Sequence, residues 1–143
     1  PDFDARIPEN YVSNVAERIN LYTKLSELDD EEELEKISLQ VVDRFGEMPR
    51  AVTNLIMSIR FKIAAQNIFA EKVKTSGEQV YLYFNNDLGE QFYKAQTFTT
   101  ILAKVNTLPS HFSFKQAKNH LLLAIKGFTS YQETLEQIKL LRQ

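Results

Sequence analysis

The 143-residue chain has no cysteine, no tryptophan, only two histidines and only four glycines. Without cysteine there is no disulfide, no thiolate metal site and no cysteine nucleophile, a usage that fits a reducing compartment. The glycines, Gly46, Gly77, Gly89 and Gly127, are too scattered to write a phosphate-cradling loop or a dinucleotide fingerprint, so ATP has no seat in this segment. Neither His111 nor His120 has a histidine or an acid four residues on, the spacing that puts two metal ligands on one helix face. No serine stands in a G-x-S-x-G setting. No apolar run approaches the roughly 18 to 20 residues that cross a bilayer, and no signal-peptide pattern opens the chain. These absences disfavour an enzyme, and no cofactor or metal is expected in the segment.

What is present is a globular composition, 43% hydrophobic and 25% charged. Its net charge of -2 conceals a division. Residues 1 to 47 carry 13 acids and 5 bases, whereas residues 48 to 143 carry 6 acids and 12 bases. The acids concentrate in Glu27, Asp29 to Glu33 and Glu35, a run that suits water or a basic partner and repels phosphate. The bases behind it, among them Lys72, Lys74, Lys115 and Lys126, form no tight cluster in sequence.

Hydrophobic spacing predicts a first helix from about Pro8 or Asn10 to Ser26, burying Val12, Val15, Ile19, Tyr22 and Leu25. A second should start after Asp30, with Glu33 three residues on, and bury Leu34, Ile37, Val41 and Phe45. Gly46 and Pro49 mark its stop and the next start. A third helix, about Pro49 to Ala70, should be the most buried of the three. The period then shortens: Val73 and Val80 to Phe84 read as a hairpin about Ser76-Gly77-Glu78. After Asn85-Asn86-Asp87 a helix of about Leu88 to Asn106 should bury Leu88, Phe92, Ala95, Leu102 and Val105. Phe112 to Lys115 and His120 to Lys126 read as strands, and Ser130 with Glu133 caps a last helix. The fold class expected is α+β: three N-terminal helices (about 8–70), then a ββαββα half (about 72–143) with a small antiparallel sheet, in one domain. Strand alternation sends Phe112 and Phe114 inward and leaves Tyr81 and Tyr83 as the aromatics open to exposure.

On the second helix, 100° per residue places Lys36, Leu39, Gln40 and Asp43 on or near the side opposite the core stripe. An apolar Leu39 beside Asp43 and Gln40 has the make-up of a protein-binding edge. By composition alone the simpler reading stands ahead: a face with Leu39 against a neighbouring helix and Asp43 solvated or paired to Arg44 or Lys36, since single exposed apolar residues are normal.

Asp43-Arg44-Phe45-Gly46 followed by Met48-Pro49, and preceded by Ile7-Pro8-x-x-Tyr11-Val12 and Arg18-Ile19-x-Leu21-Tyr22, resembles the C-terminal (TRCF) domain of the bacterial transcription-repair coupling factors, the Mfd family. Ala65-Gln66-Asn67-Ile68 continues the likeness, while the sheet half resembles the family in layout more than in residues. The resemblance implies an excised C-terminal regulatory piece of a cytoplasmic ATP-driven DNA translocase, which suits a sequence whose Pro1 is not a natural start. That parent displaces stalled RNA polymerase and recruits UvrA, with ATP and Mg in its motor domains. It further implies autoinhibition, in which this domain packs on the UvrB-like N-terminal module of the same protein and masks its UvrA-binding surface. By the same resemblance Asp43 corresponds to the acid that meets arginines of that module. Gln40 stands where some relatives have glutamate, and Phe69 where relatives often have glycine. The rival expectation is an accessory domain that contacts DNA through the basic C-terminal half.

Overall fold

Asn14 decides where the first helix begins. Its side chain accepts from the Glu17 backbone N–H at 3.0 Å, and α1 runs Val15–Ser26. The start expected at Pro8 or Asn10 is overturned, because the Pro8 carbonyl closes a separate turn on the N–H groups of Tyr11 and Val12 at 3.0 and 3.1 Å. The expected buried stripe is corrected with it. Val15 and Ile19 are each 57% exposed and Tyr22 is partly so, while α1 buries Leu25 and half-buries Leu21. Val12 is buried from outside the helix. The computed structural model describes residues 4–85 and 95–142, in two compact units, one ending at Ile63 and the other starting at Ala64.

Asp30 caps α2 (Glu31–Phe45), accepting from Glu32 N–H at 3.3 Å, and three glutamates fill the first turn, where the helix dipole favours negative charge. Leu34 and Val41 are buried and Ile37 and Phe45 half-buried, as the spacing predicts. The helix stops at Gly46, whose φ of 91° and ψ of -170° suit only glycine and whose N–H bonds the Val42 carbonyl at 2.9 Å. The Pro49 carbonyl then accepts from Val52 and Thr53, opening α3 (Arg50–Gln66). In the first unit Ile7, Val12, Leu25, Leu28, Leu34, Ile56, Ile59 and Ile63 form one apolar cluster. Each such side chain contributes roughly 1.5 to 3 kcal/mol on full burial.

The helix α3 ends at Gln66 instead of Ala70. Ala70 N–H reaches back to the Ala65 carbonyl at 2.9 Å and Phe69 N–H to that of Gln66 at 3.1 Å, a Schellman termination. Its left-handed position is held by Phe69, with φ 71°, where a side chain costs about 1 to 2 kcal/mol relative to an unstrained backbone.

The second unit holds one antiparallel sheet of β1 (Lys72–Ser76), β2 (Gln79–Asn85), β3 (Phe112–Ala117) and β4 (His120–Ile125) in the order β1-β2-β4-β3. Ser76 pairs with Gln79, so Gly77 and Glu78 alone make the first turn, and Gly77 at φ 60° supplies the positive angle that a two-residue hairpin needs. One sheet face is core: Val80, Leu82, Phe84, Phe112, Leu123 and Ile125 are each at most 1% exposed. Between the hairpins lies α4 (Gln96–Thr107), which lines up Phe98 with Phe114 at 6.3 Å between ring centroids. The expected start of this helix at Leu88, with Leu88 and Phe92, falls outside the described residues. Within α4 the buried residues are Thr97 and Ile101, and Leu102, expected inside, is 39% exposed. Ser130 caps α5 (Tyr131–Lys139), which buries Leu135 and Ile138, and Glu133 reaches back to Thr129.

Candidate functional site

Lys36, Leu39 and Asp43 stand at i, i+3 and i+7 of α2 and share its outward face, all three exposed. Leu39 is 62% exposed, and the next turn adds Val42 at 43%, so two adjacent branched side chains make an apolar spot on an otherwise acidic helix. Gln40 is exposed too, but it turns toward the neighbouring helix. It lines a groove between α1 and α2 of about 430 Å³, together with Glu17, Leu21, Lys24, Ile37 and Phe45. The four residues singled out in the sequence therefore fall into a face of three and a groove-side fourth. Val42 was missed, although its place three residues after Leu39 is the signal that would have found it.

The pairing that could have neutralised Asp43 is taken elsewhere. Arg44 swings to Glu17 on α1, at 2.7 Å, and its guanidinium lies 5.1 Å from the Phe45 ring centroid. Among the described residues neither Asp43 nor Lys36 is in an ion pair. Asp43 also sits in the last turn of α2, where the negative end of the helix dipole disfavours a carboxylate by about 0.3 to 1 kcal/mol. An anion held there without a partner is poised for an external cation. The helix carrying it is well fixed. Arg60 bonds Glu35 at 2.9 Å and Glu31 at 3.4 Å, and the Tyr11 hydroxyl donates to the Gly46 carbonyl at 2.6 Å, one residue past the helix end.

Groups with displaced proton affinity lie away from this face. Burial pushes the Tyr11 phenol up. Hydrogen bonds from His120 and Asn85 hold Glu71 below the ordinary carboxylate range, and those from Thr129 do the same for Glu133. His120 lies against Glu71 at 2.6 Å and His111 stacks on Phe128 at 4.4 Å, so the two histidines serve separate local contacts. Among the described residues no three His, Asp or Glu converge as a metal site, and no helix is long and apolar enough to cross a membrane.

The TRCF domain family matches residues 2–95. The transcription-repair-coupling factor of Rickettsia bellii is 30% identical over 101 residues, which is 69% of this chain and 9% of that protein. Its counterpart in Staphylococcus haemolyticus is 29% identical over 97 residues, 68% of this chain and 8% of that protein. The chain thus spans less than a tenth of the length of these relatives. A crystal structure of the C-terminal domain of a transcription-repair coupling factor superposes with a TM-score of 0.73 at 21% identity, covering 99% of this chain and 86% of that one. The fold likeness therefore continues through the sheet half, beyond where the family match in sequence ends.

Proposed function

The chain belongs to the TRCF domain family, and on that premise we propose that it is a non-catalytic autoinhibitory domain of a transcription-repair coupling factor. The outward face of α2 docks on the UvrB-like module of the same protein and covers the surface that UvrA needs. The parent is a cytoplasmic ATP-dependent DNA translocase that displaces stalled RNA polymerase, with ATP and Mg held by its motor domains, and the present segment restrains it.

One observation carries this reading: an exposed, unpaired Asp43 in the last turn of α2, bordered by exposed Leu39 and Val42. An arginine of the partner module would gain a carboxylate that no internal cation neutralises. Once desolvated, such a pair contributes severalfold more than the roughly 0 to 1 kcal/mol of an exposed one. Leu39 and Val42 supply the apolar contact that excludes water around it. Lys36 and Gln40 border the spot, one cationic and one neutral, and so tune the fit without adding negative charge. The small patch also suits a releasable lock, since UvrA must overcome the docked state through its own preference for the open one.

Docking and exclusion are tested by mixing this chain with the separately expressed UvrB-like module, with and without UvrA. The reading expects a saturable complex that UvrA dissolves. Absence of any complex at concentrations up to the millimolar range, or a stable ternary complex with UvrA, overturns it.

A further inference from the structure

The second face of the sheet carries a surface that α2 docking does not use. Alternation along the strands puts Lys72 and Lys74 of β1, Tyr81 and Tyr83 of β2, Leu122 and Ala124 of β4 and Lys115 of β3 on the side opposite the core residues. The register aligns them in two rows. Lys72, Tyr83, Leu122 and Lys115 cross the sheet in one, and Lys74, Tyr81, Ala124 and Ser113 in the next. Lysines scattered over 44 residues of sequence are thereby gathered around two tyrosines on a central strand.

The lysines are exposed and the tyrosines half-exposed. Lys72 Nζ lies 5.0 Å from the Tyr83 ring centroid, and Lys115 Nζ lies 5.6 Å from that of Tyr81. To reach β2 from β3, the Lys115 side chain must pass over β4. On the same face Leu122 and Ala124 are 8% and 3% exposed. Lysine against an exposed ring is a weak contact, so the ammonium groups can leave the rings for a stronger anion. Glu71, the residue before Lys72, is bonded to His120 at 2.6 Å and Asn85 at 3.2 Å in the adjoining row of this face, where the His120 ring stands edge-on to Tyr83 at 5.7 Å.

We propose that this face binds single-stranded nucleic acid, with bases stacking on Tyr81 and Tyr83 while Lys72, Lys74 and Lys115 move from the rings to the phosphates. Flat rings on a sheet with cations beside them are the two elements such a site requires, a stacking platform and an electrostatic track. An unpaired strand offers bases to the rings, which a duplex keeps stacked inside. An acidic peptide would satisfy the lysines but leave the rings unused. The surface lies in the second unit, and its case rests on that unit alone.

The test is fluorescence anisotropy of the intact chain with labelled 12-mers of deoxythymidine and of uridine, a 12-base-pair duplex, and a poly-glutamate peptide. Three phosphate contacts on a single strand give a log-log salt slope of about -2, a loss of roughly 20-fold between 50 and 200 mM salt. Lys74→Gln, at an exposed side chain, should flatten that slope by about one third. Tyr83→Leu should weaken strand binding by about 5-fold or more, the low end of one lost base stack, while Lys104→Gln on α4 changes nothing. Circular dichroism distinguishes an unfolded variant, and Lys74→Gln carries the test if Tyr83→Leu fails to fold. No saturable strand binding at 50 mM salt, equal affinity for duplex or poly-glutamate, or an equal effect of Lys104→Gln overturns the proposal.

Discussion

Replacing Gly46 by alanine perturbs the backbone without adding a clash. A Cβ built there meets nothing within 4 Å, so no clash enters. What changes is the backbone: φ 91° with ψ -170° is a region that side chains reach only at a cost of about 1 to 3 kcal/mol. Against that stands a gain of about 0.4 to 1 kcal/mol, because alanine narrows the unfolded ensemble. The expected net loss is therefore about 1 to 2 kcal/mol. Urea unfolding followed by far-ultraviolet circular dichroism should show the midpoint fall by about 0.5 to 1 M at unchanged slope, for a slope of about 2 kcal/mol/M. Relieving the strain at the helix end loosens the Gly46 N–H bond to the Val42 carbonyl, in the last turn that holds Asp43. Hydrogen exchange should therefore quicken at Asp43 to Phe45 before it does at Leu34. An unchanged midpoint would refute the claim that this glycine sets the end of α2.

Two further outcomes follow from the hydrogen bonds. Tyr11→Phe removes the hydroxyl that donates to the Gly46 carbonyl and should cost about 0.5 to 1.5 kcal/mol in the same urea assay. Acid should weaken the sheet unit through Glu71 and Glu133, whose proton affinities are lowered by folding. Their contribution is complete above the unfolded carboxylate value of about 4.3 and is lost as pH falls through their lower folded values. Glu71→Gln should thus shrink the difference between urea midpoints measured at about pH 6 and pH 3, and an undiminished difference would remove Glu71 from the explanation.

How far the sequence could be read depended on whether local chemistry or packing decided each position. The stop of α2 was legible because Gly46 and Pro49 act through their own backbones. The core faces of α2 and β2 were legible because Leu34 and Val41, and Val80, Leu82 and Phe84, keep a strict period. The start of α1 was not, since Val12 continues the helical spacing although it packs from a turn, and Asn14 with Glu17 three residues on was the cap signal passed over. Val15 and Ile19 look like core by spacing alone. Which side of α1 meets the cluster is fixed by Leu21 and Leu25 and their partners, information that a single helix does not hold. The same applies to Leu102 on α4. At the end of α3, Phe69 occupies a glycine-like position against its own preference, and no propensity rule anticipates that. Helical spacing puts Lys36, Leu39 and Asp43 on one side of α2, and all three are exposed there. Spacing alone leaves Arg44 as a mate for Asp43, whereas the packing of α1 on α2 sends that guanidinium to Glu17. The sheet platform was the least legible, because Lys72, Lys74 and Lys115 become neighbours of Tyr81 and Tyr83 only through the strand order.

The regulatory account turns on Asp43, and reversing its charge tests it most directly. Asp43→Arg leaves the fold intact, since the side chain is exposed and a cation suits the last turn of a helix. UvrA affinity should be measured for the full-length parent carrying this change and for the unaltered protein. A rise of about 30-fold or more is predicted, the effect of losing one desolvated interface pair. Equal affinities, with the variant folded, would contradict the claim that this face of α2 covers the UvrA-binding surface.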